Sequence, residues 1–280
     1  MKRPADGASM NRRFRAQDRN MRRIFAALLW TVPVVSATAG ESEVALGSGL
    51  YYRQLEEFGR DGDRLLTESG AAPGIGLELS VAAGPGALIG GFGVSGYRLD
   101  YDGRSQQGRA VDSHSDYRER HLWAGYRFDL GNRWSLGLRW QRNQVERDIR
   151  GTETIAGLRE QTLGNRAAVG LRHRLADGPV EWIEARWHRT LGGTLRVDSP
   201  GLVDRVWIPL GASRGFSVSA RIPLGTMGGF RRIDLEPGFS RTHTDASETR
   251  AWTRDGVVQG RIGQPERVEW QLGAGLRLSW

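Results

Sequence analysis

The chain contains no cysteine, so it carries no disulfide, no thiolate nucleophile and no cysteine-based zinc site. It has no run of eighteen apolar residues, which excludes a membrane-crossing helix. A chain of this kind can enter a bilayer only as a closed barrel, because open strand edges leave backbone groups unsatisfied in lipid. Catalytic signatures are missing as well: there is no P-loop, no H-E-x-x-H and no G-x-S-x-G. Gly84-Pro85-Gly86 and Gly90-Gly91-Phe92-Gly93 read as a turn and a crowded wall, and Asp61-Gly62-Asp63 is too sparse for a calcium loop. No cofactor or metal is expected.

Most of the excess positive charge is local. Of the formal +8, residues 1–39 contribute +6, from eight Lys/Arg against two Asp, which leaves about +2 for the rest. The basic balance is therefore no argument for nucleic acid, and none is expected as a partner. The same 39 residues read as an N-terminal extension and a cleaved signal peptide. Arg22 and Arg23 precede an apolar run over 24–35, then Ser36-Ala37-Thr38-Ala39 supplies an A-x-A cleavage site. Met1, Met10 and Met21 all remain open as starts. Residues 40–280 form the expected single domain.

What is present in abundance is alternation. In the last eleven residues, Trp270, Leu272, Ala274, Leu276, Leu278 and Trp280 share one face, and Gln271, Gly273, Gly275, Arg277 and Ser279 the other. Trp134, Leu136, Leu138 and Trp140 repeat the pattern, with aromatics at both ends of the apolar face. Ten such segments can be read, near 44–53, 75–82, 88–100, 116–129, 133–141, 161–175, 180–190, 214–224, 233–240 and 270–280. Short links (83–87, 130–132, 176–179, 225–229) alternate with long polar ones (54–74, 101–115, 147–160, 191–213, 244–265). The expected fold is all-β: a transmembrane antiparallel up-and-down β-barrel of about ten strands. Eight or twelve remain alternatives, since Val206-Trp207-Ile208-Pro209-Leu210 reads as a short strand or a rim element.

Signal segment, alternating strands and aromatic end together resemble bacterial outer-membrane β-barrel proteins of the small, roughly ten-stranded kind. The resemblance covers 40–280 and singles out no subfamily. It implies a Gram-negative outer membrane, with lipids and lipopolysaccharide around the wall. It also implies a barrel assembly machinery that reads the last strand and its Trp280. It names no surface ligand.

A barrel this narrow fills its interior with side chains. The alternation turns Glu78, Arg127, Arg139, Arg166, Arg172, Glu184, Arg186, Arg221, Asp234, Glu236, Glu269 and Arg277 inward as a lumen charge network, with Glu119, Arg174 and Arg232 beside them. His121 and His188 also turn inward, and His173 turns outward near the short-turn end. Ion pairing across the lumen predicts a plugged barrel with a structural or surface-interaction role and minor solute passage. An alternative is a narrow selective channel that leans to anions, since arginine outnumbers acid nine to six in that set. Another alternative is a rim-active hydrolase. His243 and Asp245 lie at i and i+2 on one face, as do Asp100 and Asp102. An Asp pair and a His/Asp pair at a barrel rim are similar to the omptin proteases, although the His/Asp order here is reversed.

Overall fold

The structure, a computed structural model, describes residues 42–104, 110–152, 157–199 and 203–280. The signal peptide expected over 1–39 lies outside the described residues. Thirteen strands are formed and, among the described residues, no helix. They are β1 (Ser42–Phe58), β2 (Arg64–Ala83), β3 (Gly86–Arg104), β4 (Ala110–Leu130), β5 (Trp134–Ile149), β6 (Leu158–Arg174), β7 (Trp182–Ser199), β8 (Val203–Pro209), β9 (Ser213–Met227), β10 (Phe230–Thr244), β11 (Arg250–Arg254), β12 (Val257–Ile262) and β13 (Glu266–Ser279).

Ten strands close a cylinder in the order β6-β5-β4-β3-β2-β1-β13-β10-β9-β7, and β7 pairs back onto β6. Every pairing is antiparallel. The seam between first and last strands runs unbroken from Ala45↔Ser279 to Phe58↔Glu266. The Trp280 amide adds a bond to the Val44 carbonyl at 3.0 Å. Closure leaves no barrel strand with a free edge, which is the condition for backbone in hydrocarbon.

The outward face of the lower barrel is apolar. Leu50, Leu79, Leu88, Leu138, Val169, Ile183, Val218 and Leu276 are all exposed. Rings bound this band at both ends. Trp134 packs on His173 and Phe230 on Trp280 below; Tyr52 packs on Trp270 and Phe216 on Phe239 above.

Above the upper rings the alternation changes phase. Along β5 the outward series Trp134, Leu136, Leu138, Trp140 continues as Arg142, Gln144, Glu146, Asp148. The inward positions up there become apolar or aromatic. Leu55, Leu99, Tyr97 and Tyr117 are buried, the last three packing with Ala72 and Val145. Water outside and a dry interior reverse the hydropathy pattern that lipid outside and a polar lumen impose.

That reversal corrects one expectation. The long polar connections placed at 54–74, 101–115, 147–160 and 191–213 are largely strand: β1 reaches Phe58, β2 starts at Arg64, and β7 continues to Ser199. Only the 244–265 link keeps its length, and it folds into the β11/β12 hairpin. Its turn, Asp255-Gly256, has positive φ at both residues (53° and 77°), as a two-residue hairpin of this type needs. The segment Val206–Leu210 resolves as β8 plus its end, paired to the top of β7. Leu195, Val197, Val206 and Ile208 form a second small core there, against which Trp252 and Ile262 of the hairpin pack. Trp252 is thus used in packing.

Candidate functional site

The lumen is crossed by layers of ion pairs. In the lowest, Arg277 bridges Glu43 and Glu78 at 3.0 and 2.9 Å, and Arg221 meets Glu236 at 2.6 Å. Arg232 bonds Asp234 at 2.6 Å and also contacts Glu181. Asp234 is fully buried between Arg232 and Arg221. Glu184 accepts from Arg172 at 2.7 Å and from Arg186. The Trp182 ring lies between the Arg172 and Arg221 guanidinia, 4.1 and 4.8 Å from its centroid. Higher up, Arg53 joins Glu119 to Glu269, the latter at 2.8 Å, and Tyr97 donates to Glu119 at 2.6 Å.

The top layer lies well above the apolar band and is the most buried. Arg147 donates to Glu68, Glu57 and Glu160 at 2.7, 3.0 and 3.0 Å. Arg267 adds Glu57 and Glu160 at 2.7 and 3.1 Å. Ser115 and Tyr117 donate to Glu68, which has no exposed surface. Burial raises the Glu160 carboxyl, but Arg267 and Arg147 override it and hold it down to about 2. Burial, opposed in part by Arg147, pushes the Tyr117 phenol well above its usual range. Two guanidinia and three carboxyl groups thus meet in a dry setting, with their formal charges matched to within one.

The residues expected in the lumen network fall into two groups. Glu78, Arg172, Glu184, Arg186, Arg221, Asp234, Glu236, Glu269 and Arg277 are ion-paired as described. Arg127 comes no nearer to a carboxylate than 3.9 Å from Asp129. Among the described residues, Arg139 and Arg166 have no ion pair, and each leaves a buried Nε without a partner. Arg139 sits over the Trp123 ring at 4.5 Å. His121 stacks on the same ring at 5.3 Å, and His188 meets Thr242 at 3.1 Å. The reading from sequence did not include Arg53, Glu57, Glu68, Arg147, Glu160 or Arg267. Extending period-two alternation past Tyr52, Ile75, Trp140, Ala167 and Trp270 would have turned all six inward.

At the rim, His243 and Asp245 are together, with Nδ1 3.4 Å from Asp245, and Nε2 lies 2.9 Å from Glu266. Asp100 and Asp102 are not brought to them. They are exposed on β3, and three barrel strands (β2, β1 and β13) separate β3 from β10. Neighbouring strands lie about 4.8 Å apart, so four steps put the two pairs well beyond contact. All four side chains point outward rather than over the mouth, because Thr242, between His243 and Arg241, is the residue that reaches lumenal His188.

No protein family and no curated protein matched this sequence. Among solved structures, the chain is similar to the outer membrane protease OmpT from Escherichia coli, at 8% identity and a TM-score of 0.54, covering 88% of this chain and 99% of that one. It also aligns with an outer membrane channel from Pseudomonas putida F1 (12% identity, TM-score 0.44, 88% and 98% covered). The translocator domain of the autotransporter NalP from Neisseria meningitidis aligns at 9% identity and a TM-score of 0.41, with 96% and 97% covered. At such identities what is shared is architecture: the chain has the closed antiparallel fold of the bacterial outer-membrane β-barrels.

Proposed function

We propose that this chain is an integral outer-membrane protein of a Gram-negative bacterium, closed to solutes, with a structural or surface-interaction role above the bilayer. One observation carries the reading: ion-pair layers cross the lumen at successive levels from Arg277 to Arg147, leaving between them a cavity of about 330 Å³. A lumen of ten strands so occupied has little room for a hydrated path. The strands that continue above the band carry the outward polar face that a surface partner would meet. Export would run through the 1–39 segment, and the barrel assembly machinery would read β13 and its Trp280. Solutes are expected to pass poorly. In planar bilayers the refolded protein should give no sustained open steps. Steady conductance at modest voltage would overturn the closed-barrel reading.

A second reading, a narrow anion path, is favoured by Arg139 and Arg166, which face the lumen without a carboxylate. It requires anion-selective current that falls on Arg139→Ala. The hydrolase reading has less support, because its two pairs stand on separated strands.

A further inference from the structure

Between the Arg277 layer and the Arg53 layer the lumen keeps a cavity of about 330 Å³, set against β13, β1, β2, β3 and β4. Its glycines show that the space is kept open. Several lumen-facing glycines are covered: the Trp123 ring lies on Gly91, the His121 ring on Gly93, and the Tyr51 ring on Gly49 and Gly273. Gly47 and Gly74, diagonal neighbours on β1 and β2, are bare. A methyl group at Gly47 would come no nearer than 3.9 Å to the surrounding wall, and one at Gly74 no nearer than 3.6 Å. Neither residue has positive φ, so the backbone does not require glycine at either position. Glycine inside a strand weakens it and marks a place where something approaches closely. No ring or long side chain of the described residues covers these two.

The charged lining of this cavity is already matched. Glu78 and Arg277 bond each other at 2.9 Å, Glu236 is held by Arg221 at 2.6 Å, and Glu119 by Arg53. What remains for a guest is neutral: the Tyr51 and Ser95 hydroxyls and the His121 imidazole, none with a hydrogen-bond partner among the described residues. Such groups favour a guest that can both donate and accept. A cavity of about 150 Å³ accepts benzene, so this one has room for two fused rings. The cavity also meets the wall where β2 and β3 lose their ladder: pairing stops at Ser69↔Asp100 and resumes at Gly74↔Ser95. Pro73, in that interval, has no amide to donate. Ala71, Pro73 and Gly96 are exposed there, level with Tyr52 of the upper rings. A molecule arriving from hydrocarbon has no ladder bond to break at this point, and burial in lipid selects one that is neutral.

We propose that this cavity binds one neutral hydroxyarene of one or two rings. The ring lies on the bare strip at Gly47 and Gly74, and its hydroxyl bonds the His121 imidazole. This goes beyond the closed-barrel reading and takes from it only the ion layers that keep bulk water from the guest.

The test uses the full barrel refolded in a neutral detergent and checked for folding by its heat-modifiable gel mobility. It is titrated calorimetrically at neutral pH with 2-naphthol, naphthalene and 2-naphthoate, with partition into empty micelles subtracted. Wild type should bind one 2-naphthol, about tenfold more tightly than naphthalene, which lacks the hydroxyl. His121→Phe should bring 2-naphthol down to the naphthalene level and leave naphthalene unchanged. Gly47→Leu and Gly74→Leu each fill the cavity without a clash, so both should fold as wild type does and lose both arenes. Wild-type heats no larger than those of empty micelles would overturn the proposal, as would 2-naphthol binding unchanged in both leucine variants. Tighter binding of 2-naphthoate than of 2-naphthol would overturn the neutral class of guest. Steady conductance would sink the closed lumen; absence of 2-naphthol binding would sink this site alone.

Discussion

Removal of Arg147 tests the closed lumen most directly. Its guanidinium touches three carboxylates, two of which keep Arg267 when it is gone. Glu68 does not: it would be left wholly buried, with only the Ser115 and Tyr117 hydroxyls. An uncompensated buried charge of this kind costs about 3–5 kcal/mol. Arg147→Met keeps much of the side-chain volume and isolates the charge. In urea titrations of the barrel in lipid, the variant should lose about 3–5 kcal/mol at pH 8. The loss should then shrink on acidification. A stranded carboxylate takes up a proton, and each pH unit over which it does so returns about 1.4 kcal/mol. Near pH 5 the difference from wild type should fall to about 1 kcal/mol.

Wild type behaves in the opposite sense. The folded Glu160 carboxyl lies below its unfolded value, so its contribution is full above about pH 4.5 and drains away as pH falls toward about 2. Adding Glu68→Gln to Arg147→Met should recover most of the loss at pH 8, since a neutral amide can still bond both hydroxyls. A single variant within about 1 kcal/mol of wild type at pH 8, or a loss independent of pH, would refute the reasoning.

Three further outcomes follow from the same geometry. Leu138→Arg, in the middle of the apolar band, should cost about 2–4 kcal/mol by the same titration, whereas Gln144→Arg three outward positions higher should be near neutral; equal costs would place the band wrongly. Asp234→Ala removes the buried carboxylate between Arg232 and Arg221, which keep Glu181 and Glu236, and should destabilise by about 1–3 kcal/mol, while exposed Asp129→Ala should change stability by less than about 0.5 kcal/mol. His243→Ala should leave stability within about 1 kcal/mol, because its contacts to Asp245 and Glu266 are largely solvent-screened, and peptide hydrolysis abolished by it would revive the hydrolase reading.

How much of this could be read from residues alone depends on which solvent each strand meets. Within the band the sign of alternation is constant, so Trp134 to Trp140 and Trp270 to Trp280 announce both strand and facing; about ten such segments can be counted, and only the structure excludes eight or twelve by placing Val206–Leu210 as β8 and its end outside the closed cylinder. Above the band the same strands turn polar outward, and the inward positions mix Leu55 and Leu99 with Glu57, Glu68 and Arg147. Periodicity there looks like a polar loop. The lower ion pairs were foreseeable as a set, since Arg277, Glu78, Arg221 and Glu236 all alternate inward. Their pairings were not, because partners such as Arg277 and Glu78 meet through the shear of the barrel rather than through sequence spacing. The rim residues illustrate the opposite limit. His243 and Asp245 meet because i and i+2 must share a face, whereas nothing local could say that Asp100 stands four strands away.

The ion layers are better understood as selecting one arrangement than as supplying most of the stability. Buried pairs roughly cancel their own desolvation, so apolar replacements of equal volume are often neutral or better. The outward band works differently. A one-residue slip of β5 would carry Arg139 to the lipid face and draw Leu138 and Trp140 inward, at about 2–4 kcal/mol for the guanidinium alone near the midplane. The same slip would unseat Arg147 from Glu57, Glu68 and Glu160 at the top. Band and lumen therefore penalise the same displaced registers, one through hydrocarbon and one through stranded charge. It follows that replacing Arg147, Arg267 and the three carboxylates they share by apolar residues should cost far less equilibrium stability than Arg147→Met alone, yet broaden the unfolding transition as alternative registers become populated. A sharp transition in that quintuple variant would mean that the band fixes the register without help from the lumen.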